Sequence, residues 1–299
     1  MKVIRPFDMA DSMLVSTSAV EAYAEYNAAT SYALDAKCTM ASTHRLYQCI
    51  QGPSVGHTPS TSPLYWTDIG PSNKWAMFDG QISTQTTATN TLTVTVATGL
   101  IDSVALVGVV AQSVQVTVRD GLGGPIIYDS TLPFTGDIPT DWYAYFFYDE
   151  NSNRTLGVWQ NIPPYQTAYL TITLTSGADV ALGALLFGLS SYIGEAEYGA
   201  SAGIIDYSRK NTNTVTGVTT FEQRAYSKRL SVPIYLEKAQ TNRVQRTLYG
   251  LRATPCVWIA SDDQDIEELS VVYGFYKDFT ATITYPTLTL YALEIEGLI

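Results

Sequence analysis

The chain is poor in the residues from which most reactive sites are made. Its 299 residues include two histidines, His44 and His57, and three cysteines, Cys38, Cys49 and Cys256. Three cysteines do not make a disulfide scaffold. Zinc sites need clustered His and Cys ligands. Cys38, His44, Cys49 and His57 supply enough of them by number, but Cys38 and His44 fall at opposite ends of one hairpin strand. The two histidines therefore read as polar surface residues on turns. Charged residues make up only 15% of the chain. The longest apolar run, Val180 to Leu189, carries two glycines and is far short of the roughly 18 residues a membrane-spanning helix needs. The N-terminus MKVIRPFDMADSML lacks the charged-then-apolar pattern of a secretory signal. No internal repeat at a fixed period is visible.

The remaining catalytic patterns fail on context. Gly52-Pro53-Ser54-Val55-Gly56 has the spacing of a nucleophile elbow, but that motif needs a strand before it and a helix after it. His57-Thr58-Pro59-Ser60-Thr61-Ser62-Pro63 follows instead, and it cannot begin a useful helix. A glycosidase needs two carboxyl groups across a cleft. Asp149 with Glu150, Glu195 with Glu197 and Glu294 with Glu296 are candidates, yet solubilising carboxylates space themselves in the same way. The acidic run Asp262 to Glu268 fails the EF-hand template, since the sixth residue counted from Asp263 is Glu268 rather than glycine. It reads as a solvated loop. No enzyme activity, metal or cofactor is expected.

What the chain does have is β-forming sequence. It is 46% hydrophobic, and it uses tyrosine 21 times together with frequent threonine, both suited to half-buried pleated surfaces. Thr91 to Val96 and Val114 to Val118 alternate cleanly. Asp120-Gly121 with Gly123-Gly124 marks a hairpin before Ile126 to Tyr128. Tyr143 to Tyr148 and Ala168 to Leu174 continue the series, and Val180 to Leu189 fits a strand buried on both faces. An antiparallel sandwich of the jelly-roll or immunoglobulin-like type is predicted. Strands near Gly217 to Phe221 and Arg229 to Tyr235 precede one convincing helix, Leu236 to Leu251, with Val244, Leu248 and Leu251 along one face. Cys256 to Ala260, Val271 to Tyr276, Phe279 to Tyr285 and Leu288 to Ile295 complete a small α+β domain. The expected partition is an N-terminal arm over 1–20, a small β module over 21–79, a sandwich over 80–195 and the α+β domain over 196–299.

Charge is unevenly placed. Between Arg209 and Arg252 nine Lys or Arg face two acids, a net +7 that leaves −18 for the rest of a chain whose total is −11. An acidic protein without a DNA-reading motif is a poor nucleic-acid binder. A basic face docking on an acidic face of an identical neighbour explains the asymmetry more economically. Arg209, Lys210, Arg224, Lys228, Arg229, Arg243 and Arg246 are the candidate subunit-interface residues, with Ile4 to Leu14 as a second contact segment.

The segment Glu25 to Trp66 presents Tyr26, Tyr32, Asp35, a short hairpin, Tyr47, Thr58-Pro59, Tyr65 and a closing Trp66. If Thr43-His44 is a two-residue hairpin loop, Cys38 lies directly opposite Cys49, where a bridge is feasible in principle; two small packed hydrophobes is the plainer alternative. The order of aromatics resembles small chitin-binding-type carbohydrate modules. That resemblance implies glycan-binding aromatics at Tyr26, Tyr32, Tyr47, Tyr65 and Trp66. The tandem aromatic pair typical after the Tyr47 position is replaced here by Gln48-Cys49-Ile50-Gln51.

Three further stretches are Asp68 to Asp79 (DIGPSNKWAMFD), Tyr198 to Lys210 (YGASAGIIDYSRK) and Leu251 to Ile259 (LRATPCVWI). With Gly274 to Phe279 and the ending Leu293 to Leu298, they resemble virion proteins of tailed bacteriophages. The resemblance implies a particle component of the tail, baseplate or fibre-attachment region. Such a component would be assembled in the host cytoplasm as a homo-oligomer beside other virion proteins, with host-surface polysaccharide as a possible further partner. The competing class is a soluble glycan-binding module or glycosidase accessory protein.

Overall fold

The computed structural model describes residues 1–135, 142, 146, 153–212, 217–263, 266–282 and 287–298. It is mainly β: a small N-terminal module, an antiparallel sandwich and a C-terminal α+β body, the class the sequence predicts. The strand expected over Tyr143 to Tyr148 and the Asp149–Glu150 pair lie, apart from Phe146, outside the described residues.

Alternation builds the first sheet of the sandwich. In β6 (Thr86–Ala97) from Leu92 to Val96, and in β8 (Ser113–Asp120) from Val114 to Val118, every second residue is a buried Leu or Val. Both strands flank the first half of β11 (Ala168–Tyr192). The register sets Val96, Leu170 and Val118 in one row, Val94, Ile172 and Val116 in the next, and Leu92, Leu174 and Val114 in a third. All nine side chains are fully buried. On the opposite face the Thr95 and Thr171 hydroxyls meet at 3.1 Å. The short β2 (Leu14–Thr17) borders β6, and β9 (Ile126–Pro133) borders β8.

At 25 residues, β11 is long enough to serve both sheets. Its register against β6 shifts between Thr175 and Asp179, where Ser176-Gly177-Ala178 bends the strand. Beyond the bend it leaves β8 and pairs with β7 (Ser103–Val110), whose outer neighbour is β10 (Leu156–Trp159). Here alternation ends, because both faces are covered. Leu185 and Phe187 face the sandwich core, whereas Ala184 and Leu186 join Ile4, Val257 and Tyr273 on the other side. A doubly covered strand reads as an unbroken apolar run, which accounts for Val180 to Leu189.

The N-terminal residues correct the expectation of an arm reaching a neighbour. β1 (Lys2–Pro6) lies inside the sheet, between the end of β11 and β17 (Cys256–Ile259), with Ile4 opposite Ser190 on one side and Val257 on the other. Ile4 is fully buried within its own chain. The seam depends on Gly188, where any Cβ would run into the Arg5 carbonyl oxygen. Through β1 the sheet continues into β17, β18 (Val271–Thr282), β19 (Leu288–Gly297) and β16 (Tyr226–Glu237). The helix α1 (Lys238–Gly250) covers one face there, burying Val244 and Leu248 with Leu251 just beyond its end. These pack with Trp258, Val232, Ile234 and Leu293 in a second core.

Candidate functional site

The small module is a three-stranded sheet of β3 (Lys37–Met40), β4 (Arg45–Cys49) and β5 (Trp66–Pro71). Its hairpin loop is longer than the sequence suggested. Met40 pairs with Arg45, leaving a four-residue loop in which His44 takes a φ of 56°. Cys38 therefore faces Tyr47 rather than Cys49, and the cysteines are free thiols. Burial pushes Cys38 up to about 11, with Cys49 nearby adding to the shift, so the thiol stays protonated at neutral pH.

Two of the five expected glycan-binding aromatics are core residues. Trp66 is 2% exposed and Tyr47 7% exposed, so neither offers a ring face to a sugar. Tyr26 and Tyr32 stack on each other at 5.6 Å and meet Trp66 edge-on at 6.0 and 5.0 Å. Trp66 Nε1 donates to the His57 carbonyl at 2.8 Å. Tyr65 stacks on His57 at 3.6 Å. A domain this small spends its aromatics on its own interior.

The aromatic concavity lies elsewhere on the module, between its leading segment, its hairpin and the turn after β5. A cleft of about 380 Å³ is lined by Tyr23, Trp75, Glu21, Glu25, His44 and Lys74. His44 stacks on Trp75 at 3.7 Å, and its Nε2 lies 2.7 Å from Asp11 Oδ1. Sequence reading missed Tyr23 and Trp75, because only the folded joint brings them together. The joint itself turns on Asn73. Its amide nitrogen donates to the Val20 and Thr87 carbonyls, and its carbonyl accepts from the Thr87 N–H at 2.9 Å. The backbone N–H groups of Asn73 and Lys74 donate to the Glu21 carboxylate. Asn73→Ala is expected to speed amide exchange at Thr87 about tenfold, as loss of roughly 1.4 kcal/mol of hydrogen bonding would. Hydrogen exchange of the folded chain measures it.

Three of the candidate carboxylates, Glu195, Glu294 and Glu296, are engaged in structure. Glu195 accepts from the Tyr192 hydroxyl at 2.7 Å, Glu294 pairs with Arg229 at 3.2 Å, and Glu296 pairs with Lys277 at 3.6 Å. The acidic run is a clamp rather than a free loop. Asp262 pairs with Lys2 at 2.9 Å. Glu267, at the start of α2 (Glu267–Ser270), pairs with Arg154 and accepts from the Val158 N–H at 2.9 Å. Glu268 accepts from the Thr155 N–H at 3.2 Å. These carboxylates satisfy donors at and beside the outer strand β10, which would otherwise present an open edge. Burial pushes the Glu267 carboxyl above its ordinary range, while Arg154 and the Val158 N–H pull it back.

The basic segment divides into held and free cations. Lys228 Nζ donates to the Glu268 carbonyl at 2.8 Å, Arg229 pairs with Glu294, Arg224 pairs with Glu222 at 3.1 Å, and Arg243 reaches the Tyr192 carbonyl at 3.5 Å. Arg209, Lys210 and Arg246 are exposed and make no ion pair among the described residues. Arg209 and Lys210 sit on a projecting ribbon. β13 (Ser201–Asp206) pairs with the start of β16, and the ladder continues as β14 (Arg209–Thr212) against β15 (Thr219–Glu222). Nearly every residue of β13, β14 and β15 is exposed, on both faces of the ribbon. Ile204 is 64% exposed, Phe221 76% and Tyr226 56%. Phe221 lies directly across the ladder from Lys210.

Beside the ribbon's root is an apolar groove of about 430 Å³. Its walls include Ala202, Leu230, Ala260, Ile266 and Leu269, with Glu197 at its side. No helix among the described residues is long and apolar enough to cross a membrane. No protein-family model matches the chain, and no curated protein matches it by sequence.

Proposed function

We propose that this chain is a structural, non-catalytic component of a tailed-bacteriophage particle, in the tail, baseplate or fibre-attachment region, and that it works as an oligomer of identical copies. The observation that carries the reading is the ribbon over Ser201–Asp206, Arg209–Thr212 and their partner strands. A two-stranded ribbon without a packed face is marginal in water, and open strand edges invite pairing with another chain. Exposed Ile204, Phe221 and Tyr226 on such a ribbon are far better placed for a protein partner than for solvent. The virion-like stretches include Tyr198 to Lys210, which is the outgoing strand of the ribbon. The small module, held to the sandwich strand β6 through Asn73, is then a domain displayed on the assembly, available to touch a host surface.

Imaging of intact particles tests this reading. Density that traces this chain in many symmetry-related copies in the tail region is expected, and its absence from purified particles would refute it. The soluble glycan-binding alternative draws on the Tyr23–Trp75 cleft. Retention of a monomeric chain on chitin, lost in Trp75→Ala, would favour that alternative.

A further inference from the structure

Resting on the assembly reading, we infer that the ribbon of one copy docks in the apolar groove at the ribbon root of the next copy, so that copies join head to tail. Three features of the molecule lead there. The first is shape and polarity. Phe221 is a bulky, 76% exposed ring, and the groove walls of Ala202, Leu230, Ile266 and Leu269 are apolar and large enough, at about 430 Å³, to take it.

The second is charge. Lys210, on the same face of the ribbon as Phe221, makes no ion pair among the described residues, whereas Arg209 stands across the ladder from Glu222, which Arg224 holds. Glu197 lines the groove and is exposed. An aromatic anchor beside a cation therefore meets an apolar groove beside a carboxylate.

The third is reach. Ala202 belongs to the groove, whereas Lys210 and Phe221 lie eight ladder positions further out. At about 3.3 Å per residue that is roughly 26 Å, so a ribbon running outward cannot return its own Phe221 to its own groove. The matching surface has to come from a second copy. Because knob and groove are different patches, the contact is heterologous, and repeating it closes a ring or extends a filament.

The experiment uses two variants of the full chain. In one, residues 207–223 are replaced by Asn-Gly, which keeps the inner ladder and removes the knob. In the other, Leu269→Lys with Ala202→Trp fills the groove and places a cation in it; Leu269 and Ala202 are exposed, so the fold is spared. Sedimentation velocity is expected to show each variant as a monomer and their equimolar mixture as a dimer, since one still offers a groove and the other still offers a ribbon. Phe221→Ser is expected to weaken association of the full chain about tenfold or more, and Phe221→Trp to preserve it. If the groove-filled chain assembles as the unmodified chain does while the ribbon-shortened chain is monomeric, the groove assignment falls and the assembly reading stands. If the ribbon-shortened chain assembles normally, or the unmodified chain is a monomer, both fall. A mixture that stays monomeric overturns the head-to-tail geometry.

Discussion

Trp258→Ala is expected to destabilise the chain by about 4 kcal/mol, read as a lowered urea midpoint. Trp258 is fully buried on β17, the strand that β1 links to β11. It lies opposite Val3 on one side and Val272 on the other, so it supports both neighbouring strands. Its ring meets Tyr276 edge-on at 6.0 Å, and its Nε1 donates to the Gly274 carbonyl at 3.0 Å. Truncation therefore removes a large packed surface and a buried hydrogen bond together. Trp258→Phe keeps most of the volume and loses the donor, so a smaller cost of about 1–2 kcal/mol is expected. Because one sheet runs from the sandwich into the α+β body, probes in both should report the same lowered midpoint.

Arg154→Met is expected to cost about 3 kcal/mol near pH 7, and less as the pH is lowered. Glu267 is buried, and Arg154 is its only cationic partner among the described residues. The carboxyl already stands above its ordinary range because burial penalises the charge, so the native state holds a proton more tightly than the unfolded chain does. Ionisation of Glu267 thus costs native stability at neutral pH, and the cost fades as pH falls through the native pKa. Removing Arg154 raises that pKa further. The penalty of Arg154→Met should therefore be largest at neutral pH and shrink toward pH 5. In a Glu267→Gln background it should be small at either pH, and urea titrations of the four chains at both pH values measure the coupling.

How much of this was legible in the sequence depends on how local the cause is. Thr91 to Val96 and Val114 to Val118 declare one buried face because side chains alternate along any strand, and the structure buries Leu92, Val94, Val96, Val114, Val116 and Val118. The helix runs over Lys238–Gly250, close to the expected span, because Val244, Leu248 and Leu251 return at helical spacing. The position of β1 has no local signature: Val3 and Ile4 look like any short apolar pair, and their partners Ser190, Ser191, Val257 and Trp258 come from two distant strands. The hairpin loop was misjudged because His44 enters the left-handed region and the turn takes four residues, which moves Cys38 opposite Tyr47. The aromatic order in the module showed which rings it owns but not which way they face. Tyr47 and Trp66 point inward, and Trp75, outside that order, lines the cleft. The basic segment showed its charge in sequence, yet only the ladder reveals that Arg209 and Lys210 stand on a ribbon while Lys228 and Arg229 are tied down at its base.

The central claim is that identical copies assemble through that ribbon. Sedimentation equilibrium of the full chain over a wide concentration range tests it most directly. The account predicts a mass that is a discrete multiple of 32.7 kDa and that collapses to a single chain when residues 207–223 are replaced by Asn-Gly. A full chain that remains at 32.7 kDa at every concentration, or an oligomer whose mass survives loss of the ribbon, would contradict it.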